Sequence, residues 1–327
     1  NMNLRRLGKT DIEISPIGLG CWQFSGGHGL VGKYWPVLDQ ATVRAIVESS
    51  LEAGVNWFDT AEAYGRGASE RALTQALREL SRKPGEVVLA TKWMPFLRTA
   101  RSIHRTIDRR LEALGEYPID LYQIHNPHSL SPIESQLLEM AGLAKAGRIR
   151  AIGVSNFSAE QMRRAHRLLA EEGIPLASNQ VRYSLLHREI ESNGVLEAAR
   201  ELGVTIIAYS PLAQGLLAGS YHDDPLRIRE RPGLRKHLKA FRPEELERTR
   251  PLIEELRWIA AAHETSPAEV ALSWLLSAHG DTVVAIPGAS SPEQARRNAR
   301  AMDLHLSETE IDALSQRAGK PLPAPVA

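Results

Sequence analysis

The feature that most constrains this chain is a rhythm. Short runs of apolar and β-branched residues alternate with helix-length amphipathic stretches over almost all of its 327 residues. The runs are SPIGLG (15–20), VNWFD (55–59), EVVLATK (86–92), IDLYQIH (119–125), IRAIGVS (149–155), ASNQV (177–181), VTIIAYS (204–210) and TVVAIPG (282–288). Between the first two, DQATVRAIVESSLEAG (39–54) places Val43, Ile46, Val47, Ser50 and Leu51 on one helical face. Further helices are predicted over 69–80, 101–114, 132–146, 158–171, 192–202 and 292–301. Gly54, Gly147 and Gly203 stand where helices should stop. Strands joined through helices lie parallel and are buried on both faces. Eight such units in a chain this long predict an α/β fold, a closed (β/α)8 TIM barrel forming one domain over 1–327. An open doubly wound sheet is the competing architecture. Ahead of the barrel, NLRRLGKTDIEIS (3–15) reads as an N-terminal β-hairpin around a Gly-Lys-Thr-Asp turn, placed to plug the barrel floor. Extra helices are expected near 245–263, 267–278 and 307–317, and residues 318–327 read as a loose tail.

Charge and cysteine usage narrow the function. Forty Lys and Arg against 39 Asp and Glu leave no net field to attract nucleic acid or an anionic membrane. Cys21 is the only cysteine, so no internal disulfide forms, which fits a reducing compartment. The first residues lack the apolar core of a signal peptide, and no apolar run reaches membrane-spanning length. The expectation is a cytoplasmic protein with no nucleic-acid or membrane partner.

On a parallel barrel the C-terminal strand ends form the active face. The run at 55–59 ends on Asp59, with Tyr64 on the loop beyond it; the next two end on Lys92 and His125. Three neighbouring strands thus bring four ionisable groups to one rim. A phenol is a poor acid near neutrality, with a pKa of about 10. An ammonium about 4 Å away, at an effective dielectric of about 20, stabilises the phenolate by roughly 4 kcal/mol. That is about three pKa units before desolvation, enough to expect Tyr64 to exchange a proton near neutral pH. Asp59 would hold Lys92 charged, and His125 would hydrogen-bond a substrate oxygen or relay a proton. The set suits protonation of a carbonyl oxygen as it becomes an alcohol, and it supplies no reductant, so a cofactor must.

GVNWFDTAEAYG, LATK, DLYQIHNP, IRAIGVSNFS, NQVRYS, AYSPLAQGLLAG and IPGASSPEQARRN, in this order and spacing, resemble the successive motifs of the aldo-keto reductases, nearer their bacterial and potassium-channel β-subunit-like branch. The likeness spans about residues 4 to 317. It implies the same barrel, NADPH-dependent reversible reduction of an aldehyde or ketone, and a catalytic set of Asp59, Tyr64, Lys92 and His125 with Tyr64 as general acid and base. It implies that Ser155, Asn156 and Gln180 hold the nicotinamide carboxamide and that Tyr209 stacks on its ring. Gly20, Cys21, Trp22 and Asp59 would line the same end. Ser210, Pro211, Leu212, Gln214, Gly215 and Leu217 would follow the pyrophosphate. Gly288, Ser290 and Gln294 would approach the 2′-phosphate, Asn298 the adenine, and Arg235 the 2′-phosphate from the long loop. Arg297 departs from the acidic residue often found before that asparagine. The implied cofactor is NADP(H), the partner a small carbonyl substrate, and the state a monomer or weak homo-oligomer.

GHGLVG (27–32) fits a G-x-G-x-x-G pattern but runs into KYWPVLD instead of opening a helix, so it reads as a substrate loop and not as a dinucleotide fingerprint. Trp22, Phe24, Trp35 and Trp93 are candidates for an apolar substrate wall, with Trp22 and Trp93 foremost beside Tyr64 and His125. Two other functions compete. A cofactor-sensing regulatory subunit like the potassium-channel β subunits would, by the resemblance, carry asparagine where this chain has His125. A metal-dependent hydrolase would recruit Asp59, His125 and His128, but there is no His-x-His at the first strand and Lys92 would repel a cation, so no metal is expected.

Overall fold

The computed structural model describes residues 3–28, 34–231 and 236–319. Two short antiparallel strands, β1 (Arg5–Arg6) and β2 (Glu13–Ile14), precede eight parallel ones. These are β3 (Leu19–Gly20), β4 (Trp57–Asp59), β5 (Val88–Trp93), β6 (Leu121–Ile124), β7 (Ala151–Ser155), β8 (Leu176–Arg182), β9 (Thr205–Tyr209) and β10 (Val283–Ala285), each hydrogen-bonded to the next. The ring closes between its first and last members. Gly18 N donates to Ala285 O (2.9 Å), Gly20 N to Pro287 O (3.1 Å) and Ala285 N to Pro16 O (3.0 Å). The approach is tight: a Cβ on Gly20 would stand 2.7 Å from Ile286 O. This is the closed barrel, not the open sheet.

Helices clothe the ring. They are α1 (Gln40–Glu52), α2 (Ala68–Glu79), α3 (Arg101–Leu114), α4 (Ile133–Lys145), α5 (Ala159–Glu171), α6 (Val195–Leu202), α7 (Ser220–Asp223), α8 (Pro243–Ala262), α9 (Pro267–Ser277), α10 (Pro292–Arg300) and α11 (Glu308–Arg317). In α1, Val43, Ile46, Val47 and Ser50 are buried, the face that its periodicity marks. Ser158, Ser266 and Ser307 each form a reciprocal capping box with the residue three positions on, a device worth about 1 kcal/mol apiece. Gly203 ends α6 at φ 69°, where a side chain would be strained.

Inside the ring, alternation sorts residues into two storeys. The lower is apolar: Trp57, Ala90, Leu121, Ala151, Ala177, Ile207 and Val284 cluster with Leu7, Ile12 and Ile14 of the hairpin. The hairpin does plug the floor. Arg5 donates to Val283 O (2.6 Å) and Leu276 O (2.7 Å), and Gly8 N to Thr205 Oγ1 (2.7 Å). Two residues further along β4, β5 and β6, the upper storey is polar. At the other end of the chain, Ala318 packs on the core and Gly319 O accepts from Arg188 (2.9 Å), so the first residues of the expected tail are docked. The rest of that segment, and Arg235, lie outside the described residues.

Candidate active site

The upper storey holds Asp59, Lys92, Gln123 and Gln180, all essentially removed from solvent. Trp57 and Asp59 face inward on β4 with Phe58 outward between them, and Lys92 follows Ala90 in the same way on β5. A buried ammonium is costly unless all its donors are used. Lys92 Nζ gives its three to Asp59 Oδ2 (2.5 Å), Thr60 O (2.9 Å) and the Tyr64 hydroxyl (3.4 Å). Asp59 Oδ1 accepts from Gln123 Nε2 and Gln180 Nε2, both at 2.9 Å. Burial pulls the Lys92 pKa down, but Asp59 and then Tyr64 more than offset it, so the ammonium is held above its ordinary pKa.

Tyr64 rides on the turn after β4. Its N–H donates to Ala61 O (3.1 Å), and Gly65 (φ 71°) passes so close to the neighbouring loop that a Cβ there would lie 2.2 Å from Ser25 O. The turn is anchored from behind. Glu62 accepts from Met94 N (2.6 Å), Arg98 (2.5 Å) and Arg110, and Arg110 also pairs with Glu70 (2.9 Å), which takes a bond from Thr91 Oγ1 (3.2 Å). Burial first, and Glu62 among lesser causes, raises Glu70 to about 7 despite Arg110.

The acid–base expectation for Tyr64 needs correcting. Lys92 does lower the phenol pKa, but burial raises it more and Asp59 adds to the rise, so the net shift is upward. Burial is the main reason, and Asp59, nearer to the ammonium than the phenol is, offsets part of the help from Lys92. His125 closes the group, its ring edge-on to Tyr64 at 6.1 Å between centroids. Burial, then Lys92, lowers it to about 3, so the imidazole is neutral at any working pH; its Nδ1 is buried with no partner among the described residues.

Above these residues opens a cleft of about 1020 Å³. Asp59, Tyr64 and His125 line its depth, Gly20, Cys21 and Trp22 one wall, and Ser155, Asn156, Gln180 and Tyr209 another. Asn156, at φ 58°, accepts from Tyr209 OH (2.9 Å) and donates to His125 O (3.3 Å), while Ser155 Oγ donates to Gln180 O (2.8 Å). The cleft continues along Ser210, Pro211, Leu212, Gln214 and Gly215 to Gly288, Ser290, Gln294, Arg297 and Asn298. At that end Ser290 N donates to Gln294 Oε1 (2.9 Å) and Asn298 Nδ2 to Gly288 O (3.2 Å). Gln214 Oε1, Arg297 Nε and Arg231 Nη1 are buried polar atoms without partners among the described residues, spread along this track.

Three expected residues do not reach the cleft. Trp93 follows Lys92 and alternation turns it outward, where it is fully buried and its indole donates to Ser102 Oγ (2.8 Å) of α3. Leu217 and Phe24 are likewise core residues. Tyr34 joins the aromatic wall instead, stacked on Trp22 at 5.0 Å, with Trp22 over Tyr64 at 6.0 Å and Trp35 edge-on to Trp22 at 5.5 Å. Gln123 is a further participant that the motifs leave unremarked. Its signal is a polar residue in a buried strand, two before His125 and so on the same face.

The match to the aldo/keto reductase family model runs over residues 16–318. The chain belongs to the aldo/keto reductase family. An uncharacterized oxidoreductase of Mycobacterium tuberculosis is 42% identical over 310 residues, covering 94% of this chain and 90% of the relative. A probable aldo-keto reductase 1 of Glycine max is 29% identical over 313 residues, covering 94% and 86%. Among solved structures, the glycerol dehydrogenase AKR11B4 of Gluconobacter oxydans superposes with a TM-score of 0.83 at 28% identity, covering 100% of this chain and 98% of that one. The thermostable aldo-keto reductase Tm1743, in complex with the inhibitor epalrestat, gives 0.77 at 28%, covering 97% and 100%. The barrel and the family agree, and this aldo/keto reductase is an oxidoreductase acting on small molecules. Among its described residues no helix is long and apolar enough to cross a membrane, and no group of His, Cys, Asp and Glu is built to hold a metal ion.

Proposed function

We propose that this aldo/keto reductase reduces an aldehyde or ketone to the alcohol with NADPH, reversibly, using Tyr64 as the general acid. The observation that carries the reading is the Tyr64 hydroxyl, 3.4 Å from an ammonium pinned at 2.5 Å to Asp59, at the base of a cleft of about 1020 Å³. That volume is on the scale of small-molecule sites, about 300–1,000 Å³.

The donor set fits a nicotinamide dinucleotide. Orphaned polar atoms lie on the track at His125, Gln214 and Arg297, so a long polar ligand would find partners there. Ser155, Asn156 and Gln180 would hold the carboxamide and Tyr209 the ring face. Ser210 to Gly215 would follow the pyrophosphate, and Gly288, Ser290, Gln294 and Asn298 the adenosine end. Arg297 lines that end in place of an acidic side chain, which favours the 2′-phosphate of NADP over NAD. When bound, the reduced nicotinamide supplies a hydride to the carbonyl carbon.

The remaining chemistry belongs to the chain. The raised pKa of Tyr64 keeps its hydroxyl protonated at neutral pH, ready to donate as negative charge develops on the carbonyl oxygen. Lys92 then stabilises the phenolate left behind, at the moment when the charge appears. Asp59 keeps Lys92 charged and aimed. Neutral His125 orients the carbonyl oxygen by a hydrogen bond and does not compete as an acid. The aromatic wall of Trp22, Tyr34 and Trp35 favours an apolar substrate body. The likeness to a glycerol dehydrogenase supports the reverse, alcohol-oxidising direction. His125, in the place where the channel subunits carry asparagine, weighs against a purely sensing role.

The test is NADPH absorbance with a reactive aromatic aldehyde. Wild type consumes NADPH; Tyr64→Phe binds it equally well and turns over at least about 100-fold more slowly, the usual scale of a lost general acid. Equal rates in the two proteins would refute the role given to Tyr64.

A further inference from the structure

The amides beside Asp59 fix one another. An ionised carboxylate only accepts hydrogen bonds, so both Gln123 and Gln180 must turn their NH2 groups toward Oδ1. Gln180 Nε2 has two hydrogens. One goes to Asp59 Oδ1 and the other to Gln123 Oε1, at 3.0 Å. Its donors are then exhausted, and only its carbonyl oxygen is left for the cleft that Gln180 lines. Gln123 is itself committed on both sides, its NH2 to Asp59 and weakly to Thr91 O (3.5 Å) and its carbonyl to Gln180. Flipping it would set oxygen against carboxylate and NH2 against NH2. Room for this side chain comes from Gly153 on the next strand, where a Cβ would approach Gln123 Cγ to 3.1 Å.

From this we infer that Gln123 is a positioning residue. It locks Gln180 with its carbonyl toward the ligand, so the site reads the cofactor carboxamide as a hydrogen-bond donor. Gln123 is fully buried, does not line the cleft and acts only through Gln180 and Asp59. The inference rests on the nicotinamide reading given above and deepens it. Without Gln123, one hydrogen of Gln180 is unspent and the amide pivots on its single remaining bond to Asp59 Oδ1. The site then offers that hydrogen as well as the carbonyl, and its selectivity for a donating ring substituent falls.

The experiment compares the affinity of NADP+ with that of its 3-acetylpyridine analogue, which keeps the carbonyl and lacks the N–H. Binding is read by quenching of tryptophan fluorescence, with no turnover involved. Wild type should prefer NADP+ by about tenfold or more, the scale of one buried hydrogen-bond acceptor left unpaired. In Gln123→Leu the ratio should fall below about threefold. Gln123→Met, closer in length, serves if the leucine variant does not fold, and Gln180→Leu should also abolish the preference. A ratio unchanged in a folded Gln123 variant, or a wild-type ratio near one, overturns the inference while leaving the nicotinamide assignment intact. Failure of wild type to bind either NADP+ or NAD+ overturns both.

Discussion

Asp59→Asn is the sharpest probe of the polar storey. The two side chains are nearly the same size, so packing is unchanged and only hydrogen-bond logic differs. Asp59 accepts on both oxygens, from Lys92 at 2.5 Å on one side and from two amides at 2.9 Å on the other. Asparagine has one acceptor. Whichever way it turns, its NH2 faces either an ammonium or two NH2 groups, and Lys92 loses its counter-charge while fully buried. Breaking a buried ion pair by removing one member costs about 3–5 kcal/mol, and that is the loss expected here. The upper bound holds because burial works against the Lys92 charge and Asp59 is the chief group that offsets it, so Lys92 can shed its proton once Asp59 is gone. Urea unfolding followed by tryptophan fluorescence measures it. The companion is Asp59→Asn with Lys92→Met, which leaves no buried charge and should recover more than half of the loss. A single variant within about 1 kcal/mol of wild type, or a double variant as unstable as the sum of the singles, would refute the account of a mutually dependent pair.

Three further outcomes follow from the same geometry. With His125 depressed to about 3 and Tyr64 raised above about 10, the pH profile of carbonyl reduction should show no histidine inflection between pH 5 and 9 and should fall only in alkali; a midpoint near 6.5 would contradict it. Glu70, raised from 4.5 to about 7 in the fold, contributes stability that is complete below pH 4.5 and lost as pH rises through 7, by about 3 kcal/mol, so Glu70→Gln should flatten urea midpoints across that window. Arg297→Glu should weaken NADPH binding about tenfold more than NADH binding, and an equal loss for both would remove Arg297 from the 2′-phosphate reading.

Much of this molecule is legible in the one-dimensional pattern because period two and period 3.6 are local properties. The eight strands, the plug hairpin and the gathering of Asp59, Tyr64, Lys92 and His125 all follow from where apolar runs end. Other features depend on neighbours far away in sequence. Trp93 stands beside a strand end and looks like a pocket residue, yet alternation from Lys92 sends it to the helix layer. Tyr64 illustrates the energetic version. A pairwise estimate with Lys92 alone lowers its pKa, whereas the folded site adds burial and a closer carboxylate and reverses the sign. Gln123 carries no motif; its role exists only because β4, β6 and β8 converge on one oxygen atom.

The seam that closes the ring also sets the order in which the protein can mature. Arg5 reaches Val283 across 278 positions of sequence. At synthesis rates of about 5–20 residues per second, the hairpin waits roughly 15–55 s for its partner strand. Throughout that interval the ring cannot close, although Asp59 and Lys92 have already been made. Only with β10 in place can the seam to β3 form and the polar storey be walled in on every side. A dry, fully paired polar storey thus cannot precede the final strand of the ring, however early Asp59 and Lys92 are made.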